Sequence, residues 1–285
     1  MTTRLAKLHG AGNDFLVVDG ITTTTPPGST PGSVVALCDR HVGIGADGLI
    51  VMGRGETGAD CTMDLHNADG SPAEISGNGL RCLAYVAVRA GLGDGERLVV
   101  DTGAGRREVD LELGAGGELV AATTDMGAVT FEPASIPLEA ASAFDLEATF
   151  HGVTYRGDAA GVGNPHLVLF VDDPATARVT QHGPRLEVDE RFPRRTNVEF
   201  VAVTGTDHLT LRVWERGVGE TLSCGSGVTA AAAVAHRRGL VGDRVTVHVP
   251  GGDHVVELAA TARLTGPVVH VFDVDVDLAR FGWSA

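Results

Sequence analysis

Along the 285 residues, apolar positions fall mostly in short runs that alternate with polar ones or are rich in β-branched side chains, and most runs are closed by Gly, Asp, Asn or Pro. That pattern predicts strands over 14–19, 48–52, 97–101, 107–113, 118–123, 167–171, 198–203, 208–214, 244–249, 254–259 and 267–275. Helical periodicity is rarer, over 32–39, 77–90 and 225–238, with a short fourth candidate at 174–179. Residues 20–32, "GITTTTPPGSTPG", read as a loop, either a surface insertion or a lid. The expected class is α+β and strand-rich.

One helix raises a chemical question. Residues 220–240, "ETLSCGSGVTAAAAVAHRRGL", place a single thiol where a helix begins. The alanines favour helix, Gly239 suits a left-handed cap, and the basic residues complement the C-terminal end of the dipole. Val228 to Ala235 offer no polar face, so the helix is expected to be buried all round, wrapped by strands. Its first turn aims unpaired N–H groups beside Cys224, a position that lowers a thiol's pKa and holds an anion. Taken alone, such a residue is more often a buried structural cysteine. A second copy changes that reading. Residues 72–92, "PAEISGNGLRCLAYVAVRAGL", align with 220–240 without a gap at an offset of 148, setting Ser76 over Cys224, Gly77 over Gly225 and Gly79 over Gly227. A second pair, "GAGNDFLVVD" (10–19) and "GVGNPHLVLFVD" (161–172), sets Asn13 over Asn164. The chain is therefore expected to be two related halves, joined near 123–137. Two glycine-opened helices, one per half, would face a thiol at 224 with a hydroxyl at 76.

Composition narrows the partners. A formal charge of −15 disfavours nucleic acid and anionic membranes, since neither is attracted by such a field. No apolar run of 18 or more occurs and the N-terminal residues carry no signal-like core, so a cytoplasmic protein is expected. The four cysteines, Cys38, Cys61, Cys82 and Cys224, lie far apart, which argues against a disulfide framework; the histidines form no metal-ligand cluster, so no metal is expected. Residues 53–58, "GRGETG", satisfy a dinucleotide-loop pattern literally, but residues 59–70 are not helical in pattern and the surroundings do not read as a βαβ unit.

Six ordered motifs carry a resemblance: "KLHGAGNDFLVVD", "GIGADGLI", "NADGSPAEISGNGLRC", "GVGNPHLVLF", "RRTNVEF" and "WERGVGETLSCGSG", with a final "GPVVHVF". Together they resemble the diaminopimelate epimerases, over residues 7 to about 229 and beyond. The resemblance implies two pseudo-symmetric domains, each a strand-rich barrel around a central helix, with the active site in the cleft between. The implied boundaries are 1–124 with a returning segment from about 274–285, and 125–273. The resemblance also implies isomerisation of LL- to meso-diaminopimelate in lysine and peptidoglycan synthesis, a small-molecule substrate and no cofactor; a homodimer is left open.

Inverting an α-carbon means taking a proton from one face and delivering one to the other, which a single fixed base cannot do. The family uses two cysteines, and Cys224 matches one of them. By the same resemblance, Glu215 and His166 tune or orient the thiols. The helix starts at Gly77–Asn78 and Gly225–Ser226 hold the substrate's α-carboxylate. Asn13, Asn67, Asn164, Asn197, Glu215 and Arg216 contact the substrate, Arg216 gripping the distal carboxylate through its fork. Ser76 is the departure, standing where the family has its other cysteine, and Gly48 stands where some members have a substrate-touching Gln. A serine hydroxyl is far less acidic than a thiol and needs an adjacent base. An introduced substitution, a natural Ser/Cys pair and a changed activity (a one-base isomerase or dehydratase, or a non-catalytic amino-acid-binding protein) all stay open at this point.

Overall fold

The computed structural model describes residues 2–22 and 29–283. It resolves into two compact units, Met1–Thr124 with Gly266–Ala285, and Asp125–Thr265. The loop expected at 20–32 lies largely outside the described residues. Of its remainder, Asp19 accepts hydrogen bonds from the Ile21 and Thr22 N–H groups, while Thr30 and Ser33 form a capping box that starts the first helix at Pro31, inside the span expected as loop.

In the first unit Thr3–Gly10 (β1) pairs antiparallel with Asn13–Asp19 (β2). The chain crosses through Pro31–Cys38 (α1) to Gly48–Arg54 (β3), parallel to β2. Cys61–Asn67 (β4) returns antiparallel to β3 and pairs with the short Pro72–Ala73 (β5). Gly77–Arg89 (α2) crosses to Arg97–Thr102 (β6), parallel to β4, followed by the antiparallel Gly105–Leu113 (β7) and Leu119–Gly127 (β8). The "GRGETG" stretch thus turns an antiparallel β3–β4 hairpin and opens no helix.

The second unit repeats this order strand for strand. After Leu146–Phe150 (β9), the strands Val153–Gly161 (β10) and Pro165–Phe170 (β11) are antiparallel. Val179–Glu187 (α3) crosses to Asn197–Gly205 (β12), parallel to β11. His208–Glu215 (β13) is antiparallel to β12 and pairs with Gly219–Thr221 (β14). Gly225–Arg237 (α4) then crosses to Arg244–Val249 (β15), parallel to β13, followed by the antiparallel Gly252–Leu258 (β16) and Ala262–Pro267 (β17). The last strand, Val269–Val276 (β18), pairs with β1 as β9 pairs with β10. Because β18 lies along β1, the returning segment of the first unit begins at Gly266 and not at about 274.

In each unit the strands carry apolar contacts on both faces. Inside the first unit Leu80, Leu83, Val86 and Ala87 of α2 pack against Ala6, Phe15, Ile50 and Leu98, while Leu37 of α1 meets Leu5, Leu16 and Leu49 on the other face. Inside the second, α4 is buried from Gly227 to Ala235 against β10 to β13, β15 and β16, and α3 covers the outer face with Val179 and Leu186. The helix ends are tied by ion pairs. Arg89 binds Asp273 through both guanidinium nitrogens at 3.0 and 3.1 Å, and Arg238 binds the fully buried Asp158 at 2.6 Å twice.

The sequence pattern misses β1, β4, β5, β9, β10, β14 and β17. In β10 the reason is explicit. Gly157 and Asp158 argue against a strand, yet a Cβ on Gly157 would stand 1.8 Å from the Val168 carbonyl oxygen, and Asp158 is there to hold Arg238. The fourth helix, expected at 174–179, lies at Val179–Glu187. Residues 173–177 are a turn closed on Asp173. The helix forms despite Gly183 and Pro184 because packing overrides propensity: a Cβ on Gly183 would meet Trp214 at 2.7 Å, and Tyr155 bonds His182 at 2.7 Å.

Candidate active site

In the second unit Cys224 is the N-cap of α4, with φ −128° and ψ 111°. It is 7% exposed, and its Sγ lies 3.5 Å from the Ser226 hydroxyl in the first turn beside Gly225. The sequence predicts a thiol made more acidic by the helix start; the structure reverses that direction. Burial pushes the Cys224 thiol well up, and the nearby Glu215 and Glu199 carboxylates add to it. The Ser226 hydroxyl and the Gly227 N–H favour the thiolate but are outweighed. Burial and the two carboxylates thus favour the protonated form of Cys224.

Glu215 ends β13, half-buried, and accepts hydrogen bonds from the Thr221 hydroxyl and from Cys224. Burial raises its pKa too, against those hydrogen bonds. His166, on β11, is fully buried between two oxygen atoms, Glu199 Oε1 at 2.7 Å from Nδ1 and Asn164 Oδ1 at 2.8 Å from Nε2. Asn197 opens β12 beside it, donating to the Pro165 carbonyl and accepting from the Arg216 N–H, both at 2.9 Å. Its amide therefore fixes the turn that carries Arg216, whose exposed guanidinium reaches the Arg194 carbonyl at 3.2 Å. Glu199 was not among the residues expected from sequence. Its signal there is a lone carboxylate in an otherwise apolar strand, "NVEFVAV".

In the first unit Ser76 occupies the equivalent N-cap of α2, with φ −139° and ψ 125°. Here the side chain does cap: Ser76 Oγ accepts the Gly79 N–H at 3.0 Å. Asn78, in the first turn after Gly77, donates to Asn13 Oδ1 at 3.1 Å and accepts from the buried Arg81. Asn13 in turn donates to Asp47 Oδ2 at 2.8 Å. Asn67, exposed at the end of β4, donates to the Ser71 hydroxyl at 3.0 Å. Gly48 has no room for a side chain as the backbone stands, since a Cβ would lie 2.7 Å from the His66 carbonyl oxygen. Among the described residues no group of three or more His, Cys, Asp or Glu side chains is arranged to hold a metal ion.

Asn13 and its neighbour are held by a charged knot. Asp14 pairs with Lys7 and, through both carboxylate oxygens, with Arg40, which also reaches Asp47 at 2.7 Å. Burial would raise the Asp14 pKa, but the hydrogen bonds from Arg40 and Lys7 outweigh it and lower the value to about 2. Its folded value lies below the unfolded one, so its stabilisation is present above the unfolded value and lost as pH falls toward 2. A drop from 3.8 to about 2 corresponds to roughly 2 kcal/mol. Urea unfolding of Asp14→Asn is expected to show that loss at pH 7, with the gap from the unsubstituted chain closing between pH 4 and 2; an equal gap at pH 7 and 2 would contradict it.

This duplicated architecture is a fold also found in a solved epimerase and in a probable racemase. Over 96% of this chain it matches 92% of a hydroxyproline epimerase from Agrobacterium vitis, with a TM-score of 0.69 and 18% identity. Over 97% it matches 93% of a probable proline racemase from Agrobacterium radiobacter K84, with a TM-score of 0.71 and 16% identity. At such identities only the fold is shared. Sequence goes further: the family model described as diaminopimelate epimerase matches residues 5–132 and 159–271. The chain is 43% identical over 277 residues to the diaminopimelate epimerase of Moorella thermoacetica, covering 95% of this chain and 98% of that one, and 40% identical over 270 residues to that of Pelotomaculum thermopropionicum, covering 93% and 96%. The chain belongs to the diaminopimelate epimerase family, a family of isomerases.

Proposed function

We propose that this chain interconverts LL- and meso-diaminopimelate by moving a proton at the α-carbon, without a cofactor, in lysine and peptidoglycan synthesis. The observation that supports this most is Cys224, a buried, proton-holding thiol at a helix start, within a sequence 43% identical to a diaminopimelate epimerase. The N–H groups of the first turns at Gly225–Ser226 and Gly77–Asn78 hold the α-carboxylate and the charge that grows on it in the transition state. In one direction the α C–H bond breaks toward position 76, where the Ser76 oxygen has to take the proton, the electron pair stays on the carbon conjugated with the carboxylate, and the Cys224 thiol gives its proton on the other face, leaving a thiolate. In the reverse direction that thiolate is the base. Asn13, Asn67, Asn164, Asn197, Glu215 and Arg216 read the rest of the substrate, and the net charge of −15 suits a small-molecule enzyme of the cytoplasm with no nucleic-acid partner.

Ser76 limits one direction. Its hydroxyl is engaged as a helix cap, and no base among the described residues is hydrogen-bonded to it. The test is deuterium exchange at the α-carbon of LL- and meso-diaminopimelate in D₂O. Exchange through Cys224 is expected to outrun inversion, with label entering one stereoisomer faster than the other is formed. No exchange from either isomer, with binding retained, would replace this reading by that of an amino-acid-binding protein.

A further inference from the structure

We propose that Glu199, seated beneath the helix start that carries the thiol, is a positioning residue for proton transfer at Cys224. The inference rests on the epimerase reading and adds a residue to it. Glu199 on β12 and His166 on β11 are both fully buried and bonded at 2.7 Å. The second carboxylate oxygen, Oε2, has no hydrogen-bond partner among the described residues. The group lies beneath the first turn of α4, because a Cβ on Gly227 would stand 2.6 Å from Oε1. Titratable groups interact with this carboxylate from three elements: His166 on β11, Glu215 at the end of β13 and Cys224 at the start of α4.

The duplicated unit shows that the fold does not require this pair. In β11 and β12, His166 is opposite Asn197 and Val168 is opposite Glu199; in β2 and β3, Phe15 is opposite Gly48 and Val17 is opposite Ile50. Phe15 and Ile50 therefore hold the places of His166 and Glu199. The glycines agree, since a Cβ on Gly79 would meet Ile50 Cδ1 at 3.2 Å where one on Gly227 meets Glu199. Burying polar, ionisable groups costs desolvation that a well-packed apolar pair avoids. One unit carries the apolar pair beside a serine, the other the ionisable pair beside a thiol. The carboxylate fixes the ring through Nδ1, and its negative charge beside the thiol favours the protonated form, so that Cys224 enters the reaction loaded.

The test is Glu199→Gln, which keeps shape and removes charge. Alkylation of Cys224 by iodoacetamide across pH, followed on its own peptide by mass spectrometry, needs no turnover; its midpoint is expected to move down by about half a unit or more. The rate of inversion in the direction in which Cys224 gives its proton is expected to fall about tenfold or more with KM within about threefold, as a misplaced acid–base group would give. The paired variant His166→Phe with Glu199→Ile, which copies the first unit, is expected to fold with an undiminished Tm and, in that direction, to invert no faster than Glu199→Gln. An unchanged alkylation profile, a shift confined to KM, or failure of the paired variant to fold would each overturn the proposal. If the unsubstituted chain neither exchanges nor inverts diaminopimelate, the epimerase reading falls, and the alkylation profile alone still decides the role of Glu199.

Discussion

Replacing Ser76 by cysteine is expected to raise kcat for inversion of diaminopimelate by about 10²–10⁴-fold, the usual contribution of a general acid–base group. The backbone is already set for it: Ser76 and Cys224 cap α2 and α4 with nearly the same φ and ψ, and both helices run for 13 residues. The first-turn N–H groups of α2 are backbone and do not change, so KM is expected to stay within a few-fold. What changes is the proton chemistry on one face, where a hydroxyl would give way to a group with accessible acid and base forms. The exchange has a structural cost. Ser76 Oγ accepts the Gly79 N–H at 3.0 Å, and sulfur is a weak acceptor, so Ser76→Cys is expected to lose about 0.5–2 kcal/mol of stability with that cap. Steady-state kinetics in both directions with a thermal melt under reducing conditions test both halves. An unchanged kcat would mean that position 76 takes no part in proton transfer.

The duplication is legible because it is written in spacing. A gap-free offset of 148 over 21 residues places Ser76 and Cys224 at equivalent helix starts, and the structure shows both as N-caps. The glycine after each, the small residues of α4 and the basic ends of both helices are local signals, and local signals survive in sequence. The direction of the Cys224 pKa is not legible. A helix start favours a thiolate, but the outcome depends on burial and on Glu199 and Glu215, which come from other strands. Glu199 itself is hidden, because its partner His166 is 33 positions away and meets it only across a parallel pair of strands. Strand β10 escapes for the same kind of reason: the close approach that demands Gly157 and the ion pair that explains Asp158 are both long-range.

Removing the remaining thiol is expected to have the opposite pair of effects. With a serine already at 76, Cys224→Ser leaves a hydroxyl at both helix starts, and α-proton exchange from both stereoisomers is expected to fall by about 10³-fold or more. Stability should move the other way. The Cys224 sulfur is at best a weak acceptor for the Gly227 N–H, whereas a serine there can accept it as Ser76 accepts that of Gly79, a gain of about 0.5–1 kcal/mol. A cysteine at this cap therefore gives up helix stability for acid–base chemistry, the compromise expected where a site is tuned for reaction and not for folding. Ser76, free of that compromise, has settled into the cap. Exchange in D₂O with a thermal melt of Cys224→Ser measures both effects. Exchange within about tenfold of the unsubstituted chain would route the proton through Glu215 or His166 in place of the thiol. A lowered Tm would show that the cysteine is packed for stability after all.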